Sequence, residues 1–115
     1  MVIPVVDLFS GPGGLGEGFS AFEHEGKARF KVGLSIEKDE GACRTLMLRA
    51  FYREFDQIPD DYYECLRGEL GDQRLFEKYP AEYAVAQAAV RNEELGENDY
   101  TRRALPLEID RLISC

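Results

Sequence analysis

The most constraining stretch is a short apolar run broken by a cluster of glycines. Val2 to Phe9 is rich in β-branched residues and nearly continuous in its apolarity, then stops at Ser10-Gly11-Pro12-Gly13-Gly14. A run that is apolar on both faces suits a buried parallel strand rather than a half-exposed one. Pro4 fits only near the start of such a strand, where a missing N–H costs least. Past the glycines, Leu15, Phe19 and Phe22 recur at i, i+4 and i+7 and predict a helix with one apolar stripe. Gly16 and Gly18 inside that helix each cost roughly 1 kcal/mol relative to alanine, so some other requirement must hold them there.

After a loop at Gly26-Lys27-Ala28, the residues Phe30, Val32, Leu34 and Ile36 alternate with others up to Glu37. They predict a second strand with one better-buried face. Asp39 is placed to cap a helix in which Cys43, Leu46, Met47, Ala50, Phe51 and Phe55 repeat every three or four residues. Strand, glycine turn, helix, strand, helix is a βαβα unit, best satisfied by a parallel sheet with a right-handed crossover.

From Asp56 onward the pattern turns helical. Pro59-Asp60-Asp61 reads as a turn and helix start, and Pro80 as the first residue of an alanine-rich helix running from Ala81 to Leu95 and closed by Gly96. Asn98 or Asp99 caps a last helical stretch through Ile113, which Pro106 either kinks or restarts. No third strand is evident. The expected organisation is a cofactor-binding βαβα segment over residues 1–55 and a helical segment over 56–115. Two parallel strands cannot cover two sheet faces, so the α/β unit reads as incomplete, with an apolar first strand open to pairing or self-association.

Composition bounds the partners. The chain has 115 residues, 22 acidic and 14 basic, for a formal net charge of −8. Such a surface does not grip phosphate backbones unaided. Cys43, Cys65 and Cys115 show no CxxC spacing, which points away from a disulfide framework or a metal site and towards free thiols in a reducing, cytoplasmic setting. The start of the chain resembles neither a signal peptide nor a membrane span.

The chemistry lies in Gly11-Pro12-Gly13-Gly14-Leu15-Gly16, a literal G-x-G-x-x-G, with Glu37 21 residues after Gly16. Glycines let a strand turn sharply into a helix and let a ligand approach the main chain, and a carboxylate at the end of the second strand can accept hydrogen bonds from ribose hydroxyls. Generic spacing predicts an adenosine-containing cofactor and leaves NAD, FAD and S-adenosylmethionine open.

The flanking residues are more specific. Asp7-Leu8-Phe9-Ser10-Gly11-Pro12-Gly13-Gly14, followed by Gly18-Phe19, resembles the opening motif of DNA (cytosine-5) methyltransferases. Ser35-Ile36-Glu37-Lys38-Asp39 is similar to their second motif, and the two cover residues 2 to about 47. More loosely, residues 48–115 resemble a helical insertion that some members place before their Pro-Cys motif. The resemblance implies the N-terminal part of a Rossmann-like methyltransferase sheet and S-adenosylmethionine as cofactor. It implies that Phe9 packs on the adenine and that the backbone from Ser10 through Gly11, Pro12, Gly13 and Gly14 borders the methionine end. Glu37 would bind both ribose hydroxyls, and Lys38 would cover the adenine with its aliphatic stem. Gly71-Asp72 resembles the family's third acidic site, yet no strand precedes it and Asp72 reads better as a helix cap. Asp7 steadies the loop, caps the strand or contacts the ligand directly. His24 reads as a solvated residue and Cys43 as core.

No cysteine here follows a proline: the predecessors are Ala42, Glu64 and Ser114. The resemblance therefore assigns no catalytic residue to this chain. The thiol that attacks cytosine, and most DNA contacts, would lie downstream. Alternatively, the chain is an inactive or split module acting through cofactor binding or assembly with a complementary chain. A nicotinamide-dependent fragment is a third reading, carried by the bare glycine pattern alone.

Overall fold

The two apolar runs become parallel neighbours. The computed structural model describes residues 2–114, so Cys115 lies outside the described residues. Its elements are β1 (Ile3–Leu8), α1 (Gly14–Ala21), β2 (Glu23–His24), β3 (Lys27–Ala28), β4 (Phe30–Glu37), α2 (Glu40–Tyr52), α3 (Asp60–Leu66), α4 (Asp72–Lys78), α5 (Pro80–Ala89), β5 (Val90–Asn92), a π-helical turn (Tyr100–Ala104) and α6 (Leu105–Ile113). The result is a mixed α/β fold of Rossmann-like character. Its parallel three-stranded sheet has the order β1-β4-β5. Asp39 caps α2 as expected, accepting from the Ala42 amide at 2.8 Å, and Pro80 opens α5.

Several sequence expectations need correction. The alanine-rich helix does not reach Leu95; it ends at Ala89, and Val90–Asn92 becomes the third strand, paired with Ser35, Ile36 and Glu37. Such a strand is too short to show alternation and forms because β4 offers it a free edge. Gly96 therefore ends no helix, while Asn98 accepts from the Thr101 amide at 3.0 Å and caps the last helical stretch. Asp72 is not a cap either. Gly71 occupies that position, and the Asp72 carboxylate is held by Arg44 at 2.6 and 2.9 Å.

The second strand does not bury one face throughout. Val5 pairs with Val32 but Val6 pairs with Leu34, so the register skips Gly33. A one-residue slip moves every later side chain to the opposite face. Phe30 consequently meets Phe19 of α1, ring centroids 5.0 Å apart, whereas Leu34 and Ile36 join Leu105 of α6 in a fully buried cluster. The bulge lets one strand anchor helices on both sides.

The larger core lies under α2. Cys43, Leu46, Ala50 and Phe51 pack with Tyr62, Cys65, Leu75, Ala86 and Val90. Phe51, with no exposed surface, sits at the centre of the rings of Phe55, Phe76 and Tyr79. Arg91 ties β5 to α6 through Glu108 at 2.5 Å, and the Tyr100 hydroxyl donates to the same carboxylate at 2.7 Å. The expected apolar stripe of α1 is not its buried face. Leu15 is 69% and Phe22 51% exposed, and Gly16 is the residue turned inward.

Candidate functional site

Open parallel sheets bind ligands at the carboxyl ends of their strands. Here the ends of β1, β4 and β5 bring together Phe9, Glu37, Lys38 and the segment from Asn92 to Leu95. Between them lies a cleft of about 190 Å3 lined by Phe9, Ile36, Glu37, Lys38, Glu93, Glu94 and Leu95. A larger groove of about 580 Å3 runs beside the amino-terminal half of β4, at the other end of the sheet.

The sharp exit from β1 needs left-handed backbone. Phe9, Gly11 and Gly13 have φ of 58°, 57° and 95°. Two of these are glycines, for which the conformation is free; Phe9 is not, and a bulky residue held there is strained. The residue is 77% exposed and lines the cleft. The Ser10 amide donates to the Ile36 carbonyl at 3.0 Å, and its hydroxyl donates to the Asp7 carbonyl at 2.7 Å.

Glu37 is the hub. Its Oε1 accepts from the Gly11 amide at 3.0 Å and its Oε2 from the Asp39 amide at 2.8 Å. These two backbone donors, Asp39 first, hold the carboxyl below the ordinary glutamate range, so it is an anion at neutral pH. Each oxygen retains a second acceptor direction. Lys38 lines the cleft, and its ammonium stands 3.8 Å from the Glu94 carboxylate, with both side chains exposed.

The predicted residues thus divide. Phe9, Glu37 and Lys38 share the cleft, and Gly11 is bonded to it through Glu37. Gly13 is buried against Leu46, Pro12 is exposed, and Gly14 faces a separate open groove with Glu17, Arg49, Tyr52 and Tyr62. Glu93, Glu94 and Leu95 escaped the sequence reading because β5 did. Had Val90–Asn92 been recognised as a strand, the carboxyl-end rule would have pointed to the acids that follow it. Asp7 makes no direct approach to the cleft. It faces Gly16 beneath α1, with Oδ2 buried and unpartnered among the described residues, and burial pushes its pKa up. Among the described residues no acidic, histidine or cysteine cluster could hold a metal ion. No helix is long and apolar enough to cross a membrane.

No family model matches the chain, and no solved structure matches it. The chain is similar to the Type II methyltransferase M.Bpa9945I of Bacillus paralicheniformis, with 36% identity over 102 residues, 80% of this chain and 21% of the relative. The chain therefore spans about a fifth of the length of the curated protein it matches, and its similarity is to a methyltransferase.

Proposed function

We propose that this chain is the cofactor-binding part of a DNA (cytosine-5) methyltransferase and that the cleft takes the adenosine half of S-adenosylmethionine. The observation that carries the reading is the placement of Glu37. An ionised carboxylate at the end of β4 is tied to the glycine loop and beside an exposed, conformationally strained Phe9. A ribose diol needs two acceptor directions side by side, and the Glu37 oxygens keep them. Phe9 offers a ring face to the purine. Lys38 and Glu94 close the rim. Glu93 and Glu94, which also line the cleft, would offer acceptors to the base. The backbone from Ser10 to Gly14 borders the methionine end.

When bound, S-adenosylmethionine supplies an electrophilic methyl group on a sulfonium. This chain's own residues bind and orient it. The nucleophile for cytosine, base recognition and most DNA contacts belong to further polypeptide, which accords with a relative about four times as long. The −8 charge then describes a portion facing cofactor and core rather than DNA. A role in restriction-modification and a cytoplasmic setting follow from the same reading.

A second reading has its own observation. Among the described residues β1 pairs with β4 alone, and Ile3 and Leu8 are 46% and 42% exposed. Such an edge suits a split module that assembles with a complementary chain. Calorimetric titration with S-adenosylmethionine tests the first reading. Glu37→Gln, which turns one acceptor into a donor facing a backbone N–H, is expected to weaken binding on the order of tenfold or more. Unchanged affinity would remove Glu37 from the site.

A further inference from the structure

The Glu37 carboxylate points where the β4–α2 corner sends it, and that corner is exposed at Lys38, Asp39 and Glu40. Exposed corners fray unless tethered. Here the tethers come from β5. Asn92 is the register partner of Glu37. Its Nδ2 donates to the Lys38 carbonyl at 3.4 Å and to Cys43 Sγ at 3.2 Å. The Cys43 thiol in turn donates to the Glu37 carbonyl at 3.1 Å, and the Glu93 amide donates to the same oxygen at 3.1 Å. One amide group with two hydrogens thus reaches both peptide bonds that aim the carboxylate, one directly and one through a thiol that accepts and donates. Burial pushes the Cys43 thiol up, so it keeps its proton and its donor role.

We infer that Asn92 is a positioning residue for Glu37, acting through the Lys38 carbonyl and the Cys43 thiol. The inference rests on Glu37 as the ribose-binding carboxylate, and it identifies the element that fixes selectivity for a ribose over a deoxyribose. Asn92 itself need touch no ligand.

The test is the ratio of affinities for adenosine and 2′-deoxyadenosine, measured on the 115-residue chain by competition with S-adenosylmethionine. The wild type is expected to prefer adenosine, and Glu37→Gln to abolish the preference. Asn92→Ala is expected to lower the ratio roughly three- to tenfold, on the scale of one net hydrogen bond. Its 2′-deoxyadenosine affinity should stay within about twofold, because a merely structural loss would weaken both ligands alike. Cys43→Ser keeps the relay and should keep the ratio; Cys43→Ala should reproduce Asn92→Ala. That pair decides the matter if Asn92→Ala fails to fold. A wild-type ratio in Asn92→Ala, with the preference lost in Glu37→Gln, overturns the inference and leaves the ribose reading standing. No preference in the wild type overturns both, and equal weakening of both ligands reduces Asn92 to a structural residue and overturns the inference.

Discussion

The carboxylate of Glu37 accepts a hydrogen bond from the backbone amide of Gly11, 26 residues earlier in the chain, at 3.0 Å. That contact joins the glycine turn after β1 to the end of β4. It also makes the site pH-sensitive. The Glu37 carboxyl lies below its ordinary range because the Asp39 and Gly11 amides stabilise the anion. A lowered carboxylate pKa contributes stability above the unfolded value of 4.5 and loses it as pH falls through the folded value. Affinity for S-adenosylmethionine should therefore be flat from about pH 8 to 5 and drop below the carboxylate range. In Glu37→Gln the acid-side drop should disappear, which titration at several pH values would reveal.

Asp7 carries the opposite sign. Its Oδ2 is buried without a partner among the described residues, and burial raises its pKa above 3.8. Folding then favours the protonated form, so the contribution to stability is present below the unfolded value and is lost as pH rises through the folded one. Asp7→Asn should raise the thermal midpoint at pH 7. The gain should vanish below about pH 3.8. A lower midpoint at neutral pH would show that the anion has a partner it needs.

Two glycines of the same motif should respond in opposite ways. Gly13 has φ 95°, and a Cβ there would sit 2.8 Å from Leu46 Cδ2. Gly13→Ala should cost about 1–2 kcal/mol from the left-handed backbone, before any shift of Leu46. Gly16 is helical, and its Cβ would meet Asp7 and Val32 at 3.6 and 3.7 Å, ordinary contact distances. Gly16→Ala should gain roughly 0.5–1 kcal/mol. Chemical denaturation of the two variants checks the contrast, and a destabilised Gly16→Ala would mean that α1 sits closer to the sheet than these distances allow.

The open side of β1 bears on the assembly reading. Sedimentation of the chain should show concentration-dependent association, and Ile3→Lys, at a 46% exposed edge position, should suppress it. Association untouched by Ile3→Lys would move the contact elsewhere.

What the sequence revealed and what it hid follow the range of the interactions involved. β1, the glycine turn, β4 and the Asp39 cap are written in local residue chemistry and formed where expected, except that β1, which the sequence predicts as buried, is an edge strand with Ile3 and Leu8 exposed. Val90–Asn92 was hidden because three residues at the end of an alanine-rich helix show no alternation; only pairing with Ser35–Glu37 makes them a strand. The skip at Gly33 was equally silent, since Phe30, Val32, Leu34 and Ile36 alternate faultlessly in sequence while the pairing places them on two faces. The sequence predicts a loop around Gly26-Lys27-Ala28, where the structure has the β2–β3 hairpin, with Glu25 and Gly26 taking the two positive φ values, 55° and 74°, of a primed turn. In the site, Phe9, Gly11 and Glu37 were legible from motif spacing. Asn92, Glu93 and Glu94 were not, because they depend on the strand that was missed.

We propose that the cleft at Phe9 and Glu37 accepts the adenosine of S-adenosylmethionine, and side-by-side calorimetric titration of the chain with S-adenosylmethionine and with NAD decides it. Saturable binding of S-adenosylmethionine, lost in Glu37→Gln and not matched by NAD, is the predicted result. NAD binding as tightly as S-adenosylmethionine, or S-adenosylmethionine binding that ignores Glu37, would contradict it.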